Sequence, residues 1–154
     1  MTRKTFFSFH YQEDVWRAWN VRNCLVVSED QEVDGFFDGS VFEASKKESD
    51  EALKTFLRHG LKNTSVTCVL AGQDTAARRW VRYEIVHSVL KGNGLLTVDI
   101  HGLRNNAKEL GVKGTDPLAE VGVYLVNDKI YFAELEGGKW GKYSDYISAL
   151  PASD

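Results

Sequence analysis

At 154 residues and 17.4 kDa, with 43% hydrophobic and 27% charged residues, the chain has the size and balance of one globular domain, spanning 1–154. Intrinsic disorder, collagen and coiled coil are excluded by that balance. A net charge of −3, from 22 acidic and 19 basic residues, gives no basic surplus for nucleic acid, and no apolar run approaches a membrane span.

Met1-Thr2-Arg3-Lys4 is basic but runs straight into a strand-like segment, so no signal peptide is expected and the chain reads as cytoplasmic. Lys4 to Phe9 is the first strand, rich in residues that suit a pleated surface. Glu13-Asp14 favour a helix N-terminus, and Val15, Trp16, Ala18, Trp19 and Val21 supply its apolar face. Val33 to Phe37 is a short second strand. Ser45-x-x-Glu48 forms a capping box ahead of a helix that carries Leu53, Phe56 and Leu57 at i, i+3, i+4 and ends at Gly60.

Ser65 to Leu70 is a buried third strand. Ala77 to Lys91 is the next helix, with Val81, Ile85 and Val89 facing the core, and Gly92-Asn93-Gly94 closes it. Leu95 to Ile100 is the fourth strand. His101 to Val121 reads as a long, polar, irregular loop, either a plain insertion with no role or a segment bordering the site or a partner surface. Val123 to Val126 and Lys129 to Leu135 flank the turn pair Asn127-Asp128, and Trp140 to Leu150 suggests a terminal amphipathic helix. Cys24 and Cys68 form no motif and are expected as reduced thiols, and four scattered histidines suggest no metal site.

Alternating strands and helices with short connections predict an α/β fold of the flavodoxin-like kind: a mostly parallel sheet, order 2-1-3-4-5, with helices on both faces. In that order a crevice opens between the carboxyl ends of strands one and three. Phe9, His10 and Tyr11 would line one side of it and Ala71 to Thr75 the other.

The segment Arg78-Arg79-Trp80-Val81-Arg82-Tyr83-Glu84-Ile85 supports two readings. In one, Glu84 pairs with nearby arginines at the surface and Trp80 is packing. In the other, Glu84 is a carboxylate near the crevice beside an aromatic surface, suited to a sugar hydroxyl next to a planar base. No Walker A sequence, dinucleotide glycine fingerprint or nucleophile elbow is present.

Lys4 to Gln12, Phe37-Asp38-Gly39-Ser40, Lys46-Lys47-x-Ser49-Asp50, Asn63 to Leu70 and Arg79 to Ile85 together resemble the TIR-like B component of bacterial Thoeris antiphage defence. Trp80-Val81-x-x-Glu84-Ile85 is also similar to the helix that carries the catalytic glutamate of TIR NAD-consuming enzymes. The resemblance implies a TIR-like domain that cleaves NAD+ at the nicotinamide–ribose bond. It implies a cyclic ADP-ribose-type messenger, and a separate effector protein reached through that diffusible signal. NAD+ is then substrate, with no further cofactor and no metal.

By position, the family's catalytic glutamate falls on Glu84. Phe7, Ser8, His10, Tyr11, Asp38 and Trp80 become candidate substrate-binding residues. A strand-end hydroxyl bond fits Ser8 as well, a structural or solvated place fits His10, a plain turn role fits Asp38, and Tyr83 reads as packing. One carboxylate suffices for such chemistry: the nicotinamide leaves a cationic ring as a neutral molecule, so no general acid is needed. Self-association through Asp38 to Lys47 is expected to raise activity. The competing expectation is a non-catalytic TIR-like adaptor. A receiver-like domain would want acidic residues after strand one, where Phe9-His10-Tyr11 stand instead.

Overall fold

The structure, a computed structural model, describes residues 4–25, 48–127, 129–132 and 141–142. The expected strand Val33–Phe37, the Ser45 cap, Asp38 and Lys46-Lys47 lie outside those residues. So does the terminal helix beyond Lys142.

Three strands form a parallel sheet: β1 (Thr5–Phe9), β2 (Val66–Ala71) and β3 (Gly94–Asp99), in the order β1-β2-β3. The register pairs Phe7 with Cys68 and Cys68 with Leu96. This is the neighbour order expected for strands one, three and four of a flavodoxin-like sheet. The central strand β2 is buried along almost its whole length, as a strand covered on both faces must be.

Helix α1 (Tyr11–Leu25) covers one face, where Phe7, Ala18, Cys68, Leu70 and Ile100 pack together. The buried side of α1 differs from the expected apolar stripe. Trp16 is 55% exposed and Trp19 39%, whereas Asp14, Arg17 and Ala18 are buried. The cause is the ion pair described below, which draws two charged side chains inward.

Helices α2 (Asp50–Leu61) and α3 (Arg79–Lys91) lie on the other side, where Leu53, Leu57, Trp80 and Tyr83 form a second core. The cap of α2 is Ser49, whose hydroxyl accepts from the Ala52 N–H at 3.0 Å, and not the predicted Ser45. The helix also runs through Gly60 to Leu61, because the left-handed position that ends it falls at Asn63 (φ 66°). A single 3₁₀ turn (Thr75–Ala77) precedes α3, shortening the predicted helix at its start. Gly92 closes it with φ 84°.

The segment after β3 is more ordered than a polar, irregular loop. Gly111 N–H donates to the His101 carbonyl, Arg104 bridges Leu110, and the Asn105 side chain accepts from the Ala107 and Glu109 N–H groups. A Cβ at Gly114 would stand 2.4 Å from the Gly72 and Gln73 carbonyl oxygens, so only glycine allows that approach. The segment ends in a helical turn, α4 (Pro117–Val121), capped by Asp116, which accepts from the Leu118 N–H at 3.0 Å.

The predicted hairpin is present: β4 (Val123–Val126) pairs antiparallel with β5 (Lys129–Phe132), with Asn127 at φ 50° in the turn. Gly141-Lys142, placed by sequence in a helix, form strand β6 against β5. That pairing supersedes the local amphipathic pattern at these two residues.

Candidate active site

Alternation along β1 sends its side chains to opposite faces. Phe7 and Phe9 point to the α1 side, with Cys68 and Leu70. Phe6 and Ser8 share the α3 side with Thr67 and Val69, as the register and the Thr67–Ser88 contact at 2.7 Å require. Ser8 is fully buried, and its hydroxyl donates to Glu84 Oε2. Glu84 is 4% exposed. It is therefore no solvated surface carboxylate, and it sits at the carboxyl end of β1, beside the predicted crevice.

The backbone under Glu84 is held as well. Ser88 Oγ donates to the Glu84 carbonyl at 2.7 Å, and Asn93 Nδ2 donates to Thr67 Oγ1 at 3.2 Å. A polar seam thus runs from β2 to α3 and fixes the rotation of the helix. The oxygens along it are buried, so each bond also avoids leaving a polar group unsatisfied.

The remaining predicted residues distribute as follows. His10 is buried just past β1, with Nδ1 3.7 Å from the Glu13 carboxylate. Tyr11 is half-buried, its ring 6.2 Å from that of Phe9. Phe7 lies in the α1-side core, across the sheet from Glu84. Trp80 lies in the α2–α3 core, its ring 5.6 Å from Tyr83 and 4.5 Å beneath the Arg79 guanidinium. Tyr83 is packing, as read from sequence: it is buried, its ring lies 4.4 Å from that of His87 at a tilt of 49°, and burial raises the pKa of its phenol. Asp38 lies outside the described residues.

Sequence reasoning missed a polar cluster on the α1 side of the same rim. Asp14 Oδ1 and Arg17 Nη1 stand 3.1 Å apart, and both side chains are buried. Arg17 also donates to the carbonyls of Leu103 (2.9 Å) and Glu109 (3.2 Å). A Cβ at Gly72 would collide with the Asp14 carboxylate. Burial raises the Asp14 carboxyl above its ordinary 3.8, outweighing the lowering by Arg17 and His10. These residues, with Glu13, Gln73 and His101, border a cavity of about 130 Å³. It opens between α1 and the carboxyl end of β2, where the crevice is predicted. The signals available in sequence were the Asp14/Arg17 spacing and a glycine right after a strand.

A larger groove of about 640 Å³ lies at the far end of α3, bordered by Arg58, Lys62, His87, Leu90 and Lys91, away from Ser8. Among the described residues no cluster of His, Cys, Asp and Glu fits a metal ion.

The family described as "Thoeris protein ThsB, TIR-like domain" matches residues 6–105. The chain belongs to the Thoeris ThsB TIR-like family. A relative in Bacillus cereus (strain MSX-D12), named "Putative cyclic ADP-D-ribose synthase ThsB1", is 43% identical over 148 residues, covering 94% of this chain and 77% of its own length. The ThsB match includes Ser8, Glu84 and the Asp14–Arg17 pair and ends at Asn105, inside the segment that Arg17 holds. Leu110, Gly111 and Val112, which complete the cavity rim, lie beyond the matched residues.

Proposed function

We propose that the chain cleaves NAD+ at the nicotinamide–ribose bond and closes the ADP-ribose part into a cyclic product, with Glu84 as the catalytic carboxylate. The observation that carries this reading is a buried carboxylate, aimed by a serine at the carboxyl end of β1, in a chain similar to the relative named "Putative cyclic ADP-D-ribose synthase ThsB1". The C–N bond breaks with its electron pair going to the nicotinamide ring nitrogen, which leaves neutral. Glu84 stabilises the oxocarbenium character left on the ribose, where a charge in a dry site acts most strongly. A nucleophilic atom of the same molecule then bonds to the ribose carbon and gives up its proton. Holding both ends of the dinucleotide together favours that attack over attack by water.

With Glu84 4% exposed, a dinucleotide gains access only when the rim opens. The 130 Å³ cavity is likewise below the roughly 300–1,000 Å³ of ordinary ligand sites. We read the chain as an enzyme at rest, which opens on activation or self-association and whose diffusible product acts on a separate effector protein. Neither step calls for nucleic acid or a membrane surface.

The test is incubation of purified protein with NAD+ across a range of protein concentrations. Free nicotinamide and a product of the mass of ADP-ribose less water are expected, with specific activity rising with concentration. Absence of nicotinamide at every concentration, and in lysates of phage-infected cells that make the protein, would leave the adaptor reading.

A further inference from the structure

We infer that Ser8 is a positioning residue: it aims and ionises the Glu84 carboxylate instead of touching substrate. This rests on the catalytic assignment of Glu84 above. Ser8 has no exposed surface. In the resting chain the hydroxyl therefore offers a phosphate or ribose no surface. The hydroxyl is already committed, because it donates to Glu84 Oε2 across 76 positions of sequence. A buried carboxylate needs such a donor, since desolvation without a hydrogen bond disfavours its charged form.

Two adjacent strands divide the work. Ser8 on β1 holds the Glu84 side chain, and Thr67 on β2, through Ser88, holds the Glu84 main-chain carbonyl. The first contact sets the direction and charge of the carboxylate, and the second sets the helix beneath it. Alternation on β1 makes Ser8 the one residue between Phe7 and Phe9 that can face α3. Alanine there leaves the acid buried with one donor fewer, so its proton is held more tightly.

The experiment is titration of the Glu84 side-chain carboxyl by carbon NMR in the purified chain, with nicotinamide release measured on the same samples. Ser8→Ala is expected to raise the Glu84 titration midpoint by about one to two pH units, the worth of a hydrogen bond to a charged group. The acidic limb of the rate profile should move with it. Ser8→Thr restores the donor and is expected to return the midpoint toward the wild-type value. Ser88→Ala, which loosens the helix without touching the carboxylate, is the control: it lowers stability and leaves the midpoint in place. The other ionisable groups on these elements, His10 beyond β1, Cys68 on β2 and Arg79, Arg82, Tyr83, His87 and Lys91 on α3, are intact in every variant. An unmoved midpoint in Ser8→Ala overturns the inference. If Ser8→Ala does not fold, Ser8→Cys carries the same test with a weaker donor, and an unmoved midpoint there is equally fatal. Failure of the catalytic assignment looks different: Glu84→Gln then keeps turning over NAD+, whatever Ser8 does to the titration.

Discussion

Asp14 and Arg17 meet at 3.1 Å, one helical turn apart on α1, with both side chains buried. The guanidinium spends three of its N–H groups on Asp14 and on the carbonyls of Leu103 and Glu109. It thereby ties the start of α1 to the segment after β3. Arg17→Met keeps the length and removes all three bonds. Breaking a buried pair from one side leaves an uncompensated charge, so a loss of about 3–5 kcal/mol is expected in urea unfolding. Amide exchange should quicken first from Leu103 to Gly111. A loss under about 1 kcal/mol, with exchange unchanged, would show that the tie is dispensable.

The raised carboxyl of Asp14 has a consequence for pH. Its native value lies above the ordinary 3.8, so in that interval the folded chain binds more protons than the unfolded one. The Asp14 contribution to stability is full below 3.8 and is lost as pH rises through the native value. Asp14→Asn should flatten that decline in a series of urea midpoints. An identical pH dependence in the variant would assign the decline elsewhere.

His87 acts in the opposite sense. Burial, then the charges of Arg58 and Lys54, lower its pKa below 6.5, so the unfolded chain binds the proton more readily. Stability should fall as pH drops from about 6.5 through the lowered native value. The melting temperature of wild type should therefore fall over that range, while that of His87→Gln stays closer to level. A wild-type melting temperature that stays level across it would contradict the assignment.

Glu84→Gln keeps the shape of the side chain and removes its charge. The variant is expected to fold and to lose nicotinamide release by at least about 100-fold, the scale set by removing one preorganised electrostatic group. Circular dichroism checks the first half and chromatography the second. Activity within a few-fold of wild type would exclude Glu84 as the catalytic carboxylate.

The strands and α3 were legible because their signals are local. β2 is a short run of β-branched and apolar residues with Thr67 as its one hydroxyl, and Gly92-Asn93-Gly94 can only stop a helix. The cap of α2 was misplaced because Ser45 has the capping-box glutamate at Glu48, whereas Ser49, with Ala52 three residues on, caps by its hydroxyl alone. On α1 the rule of apolar inside and polar outside fails outright: Trp16 faces water while Asp14 and Arg17 are buried. Their burial depends on carbonyls some 86 and 92 positions away, which no helical periodicity contains. At the candidate site, sequence similarity picked out Glu84, but its bond to Ser8 is a tertiary fact. Phe7 and Trp80, which flank those two in sequence terms, end in separate cores on opposite faces of the sheet.

The close seat of Gly114 bears on engineering. The atoms a side chain there would strike are main-chain oxygens of Gly72 and Gln73, which cannot swing aside. The segment after β3 is thus a cassette whose two keys lie outside it: the guanidinium of Arg17 and a bare turn at Gly72-Gln73. Exchanging this cassette between relatives, to change what the rim admits, works only if the recipient brings both keys. A donor segment with any residue other than glycine at the Gly114 position would jam in the lock.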